Sequence, residues 1–211
     1  MKPRLRGVSH QWAFLCSLVT GTVLVVLAPA GKATSVAAIY AVSVAALFGT
    51  SALYHRITWA SLKARRWMRR LDHSMIFLLI AGTYTPFAVL VLEGTLATVI
   101  LVLVWTGALC GIVFKLIWID APNWLVAATY VVLGWVAVAA FPALLDGLGL
   151  VATLLVAAGG LLYTAGAVVY ALRRPDPVPA VFGYHEVFHA LVIAAATLQY
   201  SVIAFFVLPG A

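Results

Sequence analysis

The sequence predicts an all-α membrane protein: a bundle of seven transmembrane helices with its N-terminus in the cytoplasm and its C-terminus outside. Three observations predict it. The 211 residues are 65% hydrophobic and 9% charged, with a mean hydropathy of +1.11; soluble domains run to roughly 45–50% apolar and about 25% charged. Apolar stretches recur, each close to the ~20 residues that cross a bilayer. The basic residues fall on alternate breaks between them.

The spans lie at approximately 11–29, 34–56, 72–92, 96–118, 123–143, 149–172 and 184–207. The first follows Lys2, Arg4 and Arg6 and ends near Ala28-Pro29-Ala30, which has the outline of a signal peptide. Its apolar run of about 17 residues exceeds the roughly 7–15 of a signal h-region, so it is read as a span. The second closes at Ser51-Ala52-Leu53-Tyr54-His55. The third opens at Asp72 and contains Gly82-Thr83-Tyr84-Thr85-Pro86, where the proline removes a helix hydrogen bond and predicts a kink. Glu93-Gly94, Asp120-Ala121-Pro122-Asn123 and Asp146-Gly147 separate the next spans as turn signals. Arg173-Arg174-Pro175-Asp176-Pro177 precedes the seventh, which opens with His185. Breaks this short leave no room for a soluble domain, so residues 1–211 are read as one transmembrane domain without internal repeats.

With seven spans, one side holds Lys2, Arg4, Arg6, Arg56, Lys63, Arg65, Arg66, Arg69, Arg70, Lys115, Arg173 and Arg174; of the 13 basic residues the other side holds only Lys32. The positive-inside rule places the N-terminus in the cytoplasm, and a wrong span count would have scrambled the parity. The net charge of +7 is thus explained by topology in the cell (inner or plasma) membrane, not by nucleic acid. Trp12, Trp67, Trp118 and Trp124 sit where aromatic belts belong. Cys16 and Cys110 lie inside spans, which excludes a disulfide framework or a cysteine metal site.

On this topology His55, Asp72, His185 and His189 all lie at the cytoplasmic ends of the second, third and seventh helices. His185 and His189 are four apart and share a helix face, a spacing that suits two imidazole ligands of one metal. His55 supplies the third, and a three-His site leaves a fourth tetrahedral position for water, as catalytic zinc sites do. Zinc there brings the pKa of water to near 7 and polarises a carbonyl. Asp72 is read as the general base for that water, as a fourth ligand, or as a cap at a helix N-terminus. Ser51, one turn before His55, is placed to orient the water or stabilise an oxyanion.

His185-Glu186-Val187-Phe188-His189 also matches H-E-x-x-H, in which the glutamate is the general base. Glu186 points about 100° away from His185 and is read as an interfacial charge, with Asp72 the preferred base. His10 and His73 are read as lone interfacial histidines. Gln199, further along the face of His185, either lines the same cavity or makes an interhelical hydrogen bond. The basic loop Lys63–Arg70 either holds anionic headgroups or only sets topology.

Ser51 to His55, Leu71-Asp72-His73-Ser74 with Gly82-Thr83-Tyr84-Thr85-Pro86, and His185 to His189 occur in this order along the chain. Together they resemble the hemolysin III branch of the progestin and adipoQ receptor family, over essentially the whole length. The resemblance implies a seven-helix bundle with one zinc ion per chain held by His55, His185 and His189, and Asp72 and Ser51 beside the metal water. It implies a zinc-dependent hydrolase of a membrane lipid amide or ester, ceramidase-like; the alternatives are a receptor or membrane-homeostasis sensor with structural zinc, and a pore-forming hemolysin. The expected partner is a membrane lipid. Many relatives carry an acidic, Asn-containing motif before the first helix, whereas here Arg4-Leu5-Arg6-Gly7-Val8-Ser9-His10 keeps only the terminal histidine.

Overall fold

The computed structural model describes residues 3–211, so Lys2 of the basic count lies outside the described residues. Its helices are α1 Val8–Leu27, α2 Lys32–Arg56, α3 Leu62–Leu90, α4 Gly94–Ile117, α5 Asn123–Gly134, α6 Phe141–Leu172 and α7 Tyr184–Val202. A 3-10 stretch, Trp135–Ala140, joins α5 to α6, and a π turn, Ile203–Val207, extends α7. Among the described residues, β pairing is limited to one bridge between Val178 and Phe182.

Among the described residues, six helical stretches are long and apolar enough to cross a membrane, and the chain is a multi-pass membrane protein. Large apolar side chains point outward along them, including Val26, Leu27, Val132 and Ile117, each more than two-thirds exposed. In water such a surface would aggregate; in a bilayer it is the lipid contact.

The fifth stretch, Asn123–Leu172, is 50 residues long and does not run straight. Gly149 interrupts it with φ 78° and ψ 175°, a conformation open essentially to glycine alone. Trp135 Nε1 donates to Thr164 Oγ1 at 3.1 Å. A straight helix would separate those residues by roughly 40 Å at about 1.5 Å per residue, so the chain doubles back between them.

Helices adjacent in sequence pack against each other, and α7 returns to α1. Interior position is unequal: over their apolar windows α2 and α3 are each 56% buried and α7 44%, against 17–22% for α1, α4 and Asn123–Leu172. The three innermost helices are those that carry His55, Asp72 and the His185–His189 pair.

Two expectations need correction. The third helix starts at Leu62, well before the expected boundary at 72, with Ser61 Oγ accepting from Ala64 N at 3.4 Å. Lys63–Arg70 is therefore helix and not loop. Its lysine, alanine, arginine and methionine residues are good helix formers, and hydropathy misses them because they are charged. Arg66 and Arg69 reach Asp120 at 2.7 and 3.0 Å, and Arg70 donates to the Leu116 carbonyl at 2.9 Å. In consequence Asp72 lies inside α3 and is buried, which removes its reading as an N-terminal cap. The helix continues through Pro86 to Leu90.

Gly149→Ala is expected to cost about 1–3 kcal/mol, the usual strain of a forbidden backbone conformation, seen as a lower melting midpoint in detergent. Gly160→Ala is the control, since it lies inside α6 with nothing within 4 Å of an added Cβ; its midpoint should hold or rise slightly, alanine being the better helix former.

Candidate metal centre

Each ligand candidate is held by a different part of the bundle end where α2 stops and α1 and α7 begin. His55 is in the last turn of α2; His185 and His189 occupy the first two turns of α7. All three are buried, with 7%, 8% and 1% exposure. One ligand nitrogen from each lies within 4.8 Å of the others, so the cluster can hold a metal ion. The Nε2 atoms of His55 and His185 face each other at 3.1 Å. Two nitrogens on a tetrahedral zinc stand roughly 3.3 Å apart at zinc–nitrogen distances of about 2.0–2.1 Å, so this pair needs almost no movement.

The donor set passes a second test. His189 Nδ1 is buried without a hydrogen-bond partner among the described residues, a condition that costs about 1–3 kcal/mol. A metal bound through that nitrogen would relieve it. The cluster is all imidazole, a ligand set that suits zinc and its first-row neighbours alike.

Asp72 lies beside the cluster, its Oδ2 3.7 Å from His55 Nε2. That separation is too long for a direct hydrogen bond and short enough for both to contact one intervening water. Ser51 is 2% exposed and its Oγ lies 2.8 Å from His10 Nδ1. A hydroxyl has one donor and two acceptor positions, so this contact leaves Ser51 capacity toward the cavity that it and Asp72 both line.

His10 is the residue that the sequence reading undervalued. It is buried, and its ring stacks on His189 at 3.6 Å between centroids and 8° between planes. It thus restrains the orientation of His189 and links it to Ser51. Its position at the start of α1, on the basic side of the membrane with the other histidines, was the available signal. His73 is likewise buried rather than interfacial and lines the cavity, its ring edge-on to Tyr170 at 6.2 Å. Gln199 satisfies both of its readings, since it lines the cavity and its Nε2 donates to the Val156 carbonyl at 3.2 Å.

Glu186 is 2% exposed, so it is not the interfacial charge expected. Its Oε1 accepts from Arg6 Nε, and its Oε2 accepts from Gly183 N at 2.9 Å. Both oxygens are committed to holding the start of α7, which leaves Glu186 no part in the H-E-x-x-H chemistry. The segment before α1 lies over the same loop, with Arg4 N and Leu5 N donating to the carbonyls of Ala180 and Val181 at 3.0 and 3.1 Å. Gly7 makes this approach possible: its φ is 80°, and a Cβ there would stand 2.5 Å from His55 Cβ.

From this polar end a cavity of about 370 Å³ runs into the bundle, within the usual range of roughly 300–1,000 Å³ for ligand sites. His10, Ser51, Asp72 and His189 line it, as do Trp135 and Leu161, which are exposed on the apolar outer surface of the bundle.

A family model described as Haemolysin-III related matches residues 1–200. "Hemolysin-3" of Bacillus cereus is 32% identical over 210 residues, covering 97% of this chain and 91% of that protein. "Hemolysin-3 homolog" of Bacillus subtilis (strain 168) is 32% identical over 203 residues, covering 95% and 92%.

Elemental analysis of the purified protein is expected to find about one metal per chain. His185→Ala and His189→Ala should each lose most of it, while Glu186→Gln should retain it and melt at a lower temperature, because Arg6 loses its partner. Equal metal loss in Glu186→Gln would return the glutamate to the site.

Proposed function

Because this chain belongs to the Haemolysin-III related family and gathers three buried imidazoles at the end of an apolar cavity, we propose that it is a metal-dependent membrane hydrolase. Its substrate is an amide or ester of a membrane lipid, entering from the bilayer, and its metal is zinc, one ion per chain. The observation that carries the reading is the placement of Asp72: it lies 3.7 Å from a ligand candidate and faces the cavity, which a purely structural metal does not require.

Zinc held by His55, His185 and His189 would supply an acidified water and a polarised carbonyl. Asp72 accepts the proton at its carboxylate and later returns it to the leaving group, the ordinary cycle of a general base. Ser51 donates to the oxygen that gains charge, and His10 orients Ser51 from the other side. The lining beyond these groups holds the hydrocarbon part of the lipid and excludes water.

Seven traverses of the membrane, with a cytoplasmic N-terminus and the C-terminus outside, belong to the same proposal. The reversal at Gly149 supports two traverses within Asn123–Leu172, and the near-exclusive placement of basic residues on one side supports the orientation. The metal site then sits at the cytoplasmic face.

A second reading has an observation in its favour. The cluster joins α2 to α7, so a metal there would also brace a receptor or membrane-state sensor that cleaves nothing. The relatives' printed name suggests a third, a pore. A pore requires a polar-lined path, and the inner part of this cavity, with Leu79, Phe87, Leu92 and Ile100 in its lining, does not support it.

Turnover of a ceramide or a related lipid amide or ester in detergent is expected to fall at least 100-fold in Asp72→Asn, the scale of general-base catalysis, with metal content retained. His189→Ala and chelation should abolish both. Unchanged turnover after metal removal would refute the hydrolase mechanism; loss of thermal stability on chelation, with no cleavage of any lipid in a panel, would favour the sensor.

A further inference from the structure

A second cavity, of about 510 Å³, reaches the candidate metal centre at His55, which lines this cavity and not the apolar one. Arg6, Tyr54, His55, Thr58, Trp59 and Arg65 line it together with Pro3 and Ile57, and among the described residues no acidic side chain does. Trp59 Nε1 donates to the Tyr54 carbonyl at 3.2 Å, which fixes the ring as part of the wall.

The positive charge of this wall is only partly compensated. Arg6 uses Nε for Glu186, which leaves the two terminal nitrogens of its guanidinium. Arg65 has no carboxylate partner among the described residues, whereas its neighbours Arg66 and Arg69 both bind Asp120. Two guanidinium groups, a threonine hydroxyl and two amphipathic rings make a suitable lining for a tetrahedral oxyanion, because the planar guanidinium fork matches phosphate oxygens in pairs. The cavity also lies at the end of the spanning helices, where headgroup phosphates reside and where aromatic and basic residues collect.

We propose that this cavity binds the phosphate of a lipid headgroup, while the hydrocarbon chain of the same lipid occupies the apolar cavity. The imidazole cluster divides the two: His55 lines the basic cavity, and His10, Ser51, Asp72, His185 and His189 line the apolar one. A lipid bound across the division presents the amide or ester between its phosphate and its hydrocarbon chain to the cluster. The substrate side of this inference rests on the hydrolase reading, whereas the phosphate site itself does not.

The test is direct binding to the full-length protein in neutral detergent, without turnover. The probes are dioctanoyl phosphatidic acid, dioctanoylglycerol, which lacks the phosphate, and inorganic phosphate. The variants are Arg65→Gln and, as a control, Lys63→Gln, an exposed cation on the same helix that does not line the cavity. Saturable binding of phosphatidic acid is expected, weakened about 10-fold by Arg65→Gln, as fits loss of a charge-assisted contact, and less than about 2-fold by Lys63→Gln. Dioctanoylglycerol should bind more weakly than phosphatidic acid and without dependence on Arg65. Inorganic phosphate binding with the same Arg65 dependence, and without any gain from the lipid chains, would overturn the lipid as the source. Equal weakening by both variants, or no saturable binding, would overturn the site. Arg65-dependent binding in a protein that cleaves nothing would keep the site and remove the hydrolase reading.

Discussion

Hydrocarbon offers no hydrogen bonds, so every polar group that a spanning helix buries must find a partner inside the protein. The hydroxyls of this bundle mostly meet that demand locally. Thr20, Thr22, Thr83, Thr85 and Thr197 each donate to a carbonyl one turn back on their own helix, which asks nothing of neighbouring helices. Imidazole rings do not use that route here. His10, His55, His185 and His189 stack on one another, face one another nitrogen to nitrogen, or turn to Ser51 and Asp72. This shared requirement draws the ends of α1, α2 and α7 and the interior of α3 together.

The polar end is closed by a separate set of contacts. Arg6 reaches Glu186 across almost the whole sequence, and the backbone of residues 4 and 5 bonds to the loop before α7. Glu186 at the same time caps α7 through Gly183 N, and an acidic group in a first helical turn is favoured by the helix dipole. One carboxylate therefore sets the start of the helix that carries two of the three histidines and ties down the segment that covers them. The small size of Gly7 lets this segment pass against His55. The basic N-terminal segment acts through the same salt bridge.

The two sides of the cluster differ in chemistry. One side is a largely apolar cavity that reaches Trp135 and Leu161; the other is lined by Arg6, Thr58 and Arg65. An amphipathic ligand meets both environments only if it lies across the histidines. Asp72 and Ser51 are on the apolar side, where water is scarce and a fixed carboxylate or hydroxyl acts more strongly on its neighbours than it would in solvent.

Hydrophobic composition and charge parity made the membrane class and the meeting of His55, Asp72, His185 and His189 at one depth legible from the sequence, because hydrocarbon length and helix rise leave little freedom in where a residue sits along the membrane normal. The i, i+4 spacing made the His185–His189 pair legible for the same reason, since helix geometry is local. What happens around the helix axes was not legible. His10 had no partner at a readable spacing, and only the packing of α1 against α2 and α7 stacks it on His189. Glu186 matched a catalytic pattern, and only the fold brings Arg6 to it. Asp72 looked like a cap because charged residues ended the apolar stretch, although the helix had already begun at Leu62. The sequence by itself determined depth and class, which depend on transfer from water to lipid residue by residue. Tertiary structure alone decided which side chains touch, because helix rotation and crossing are set by packing between segments far apart in the chain.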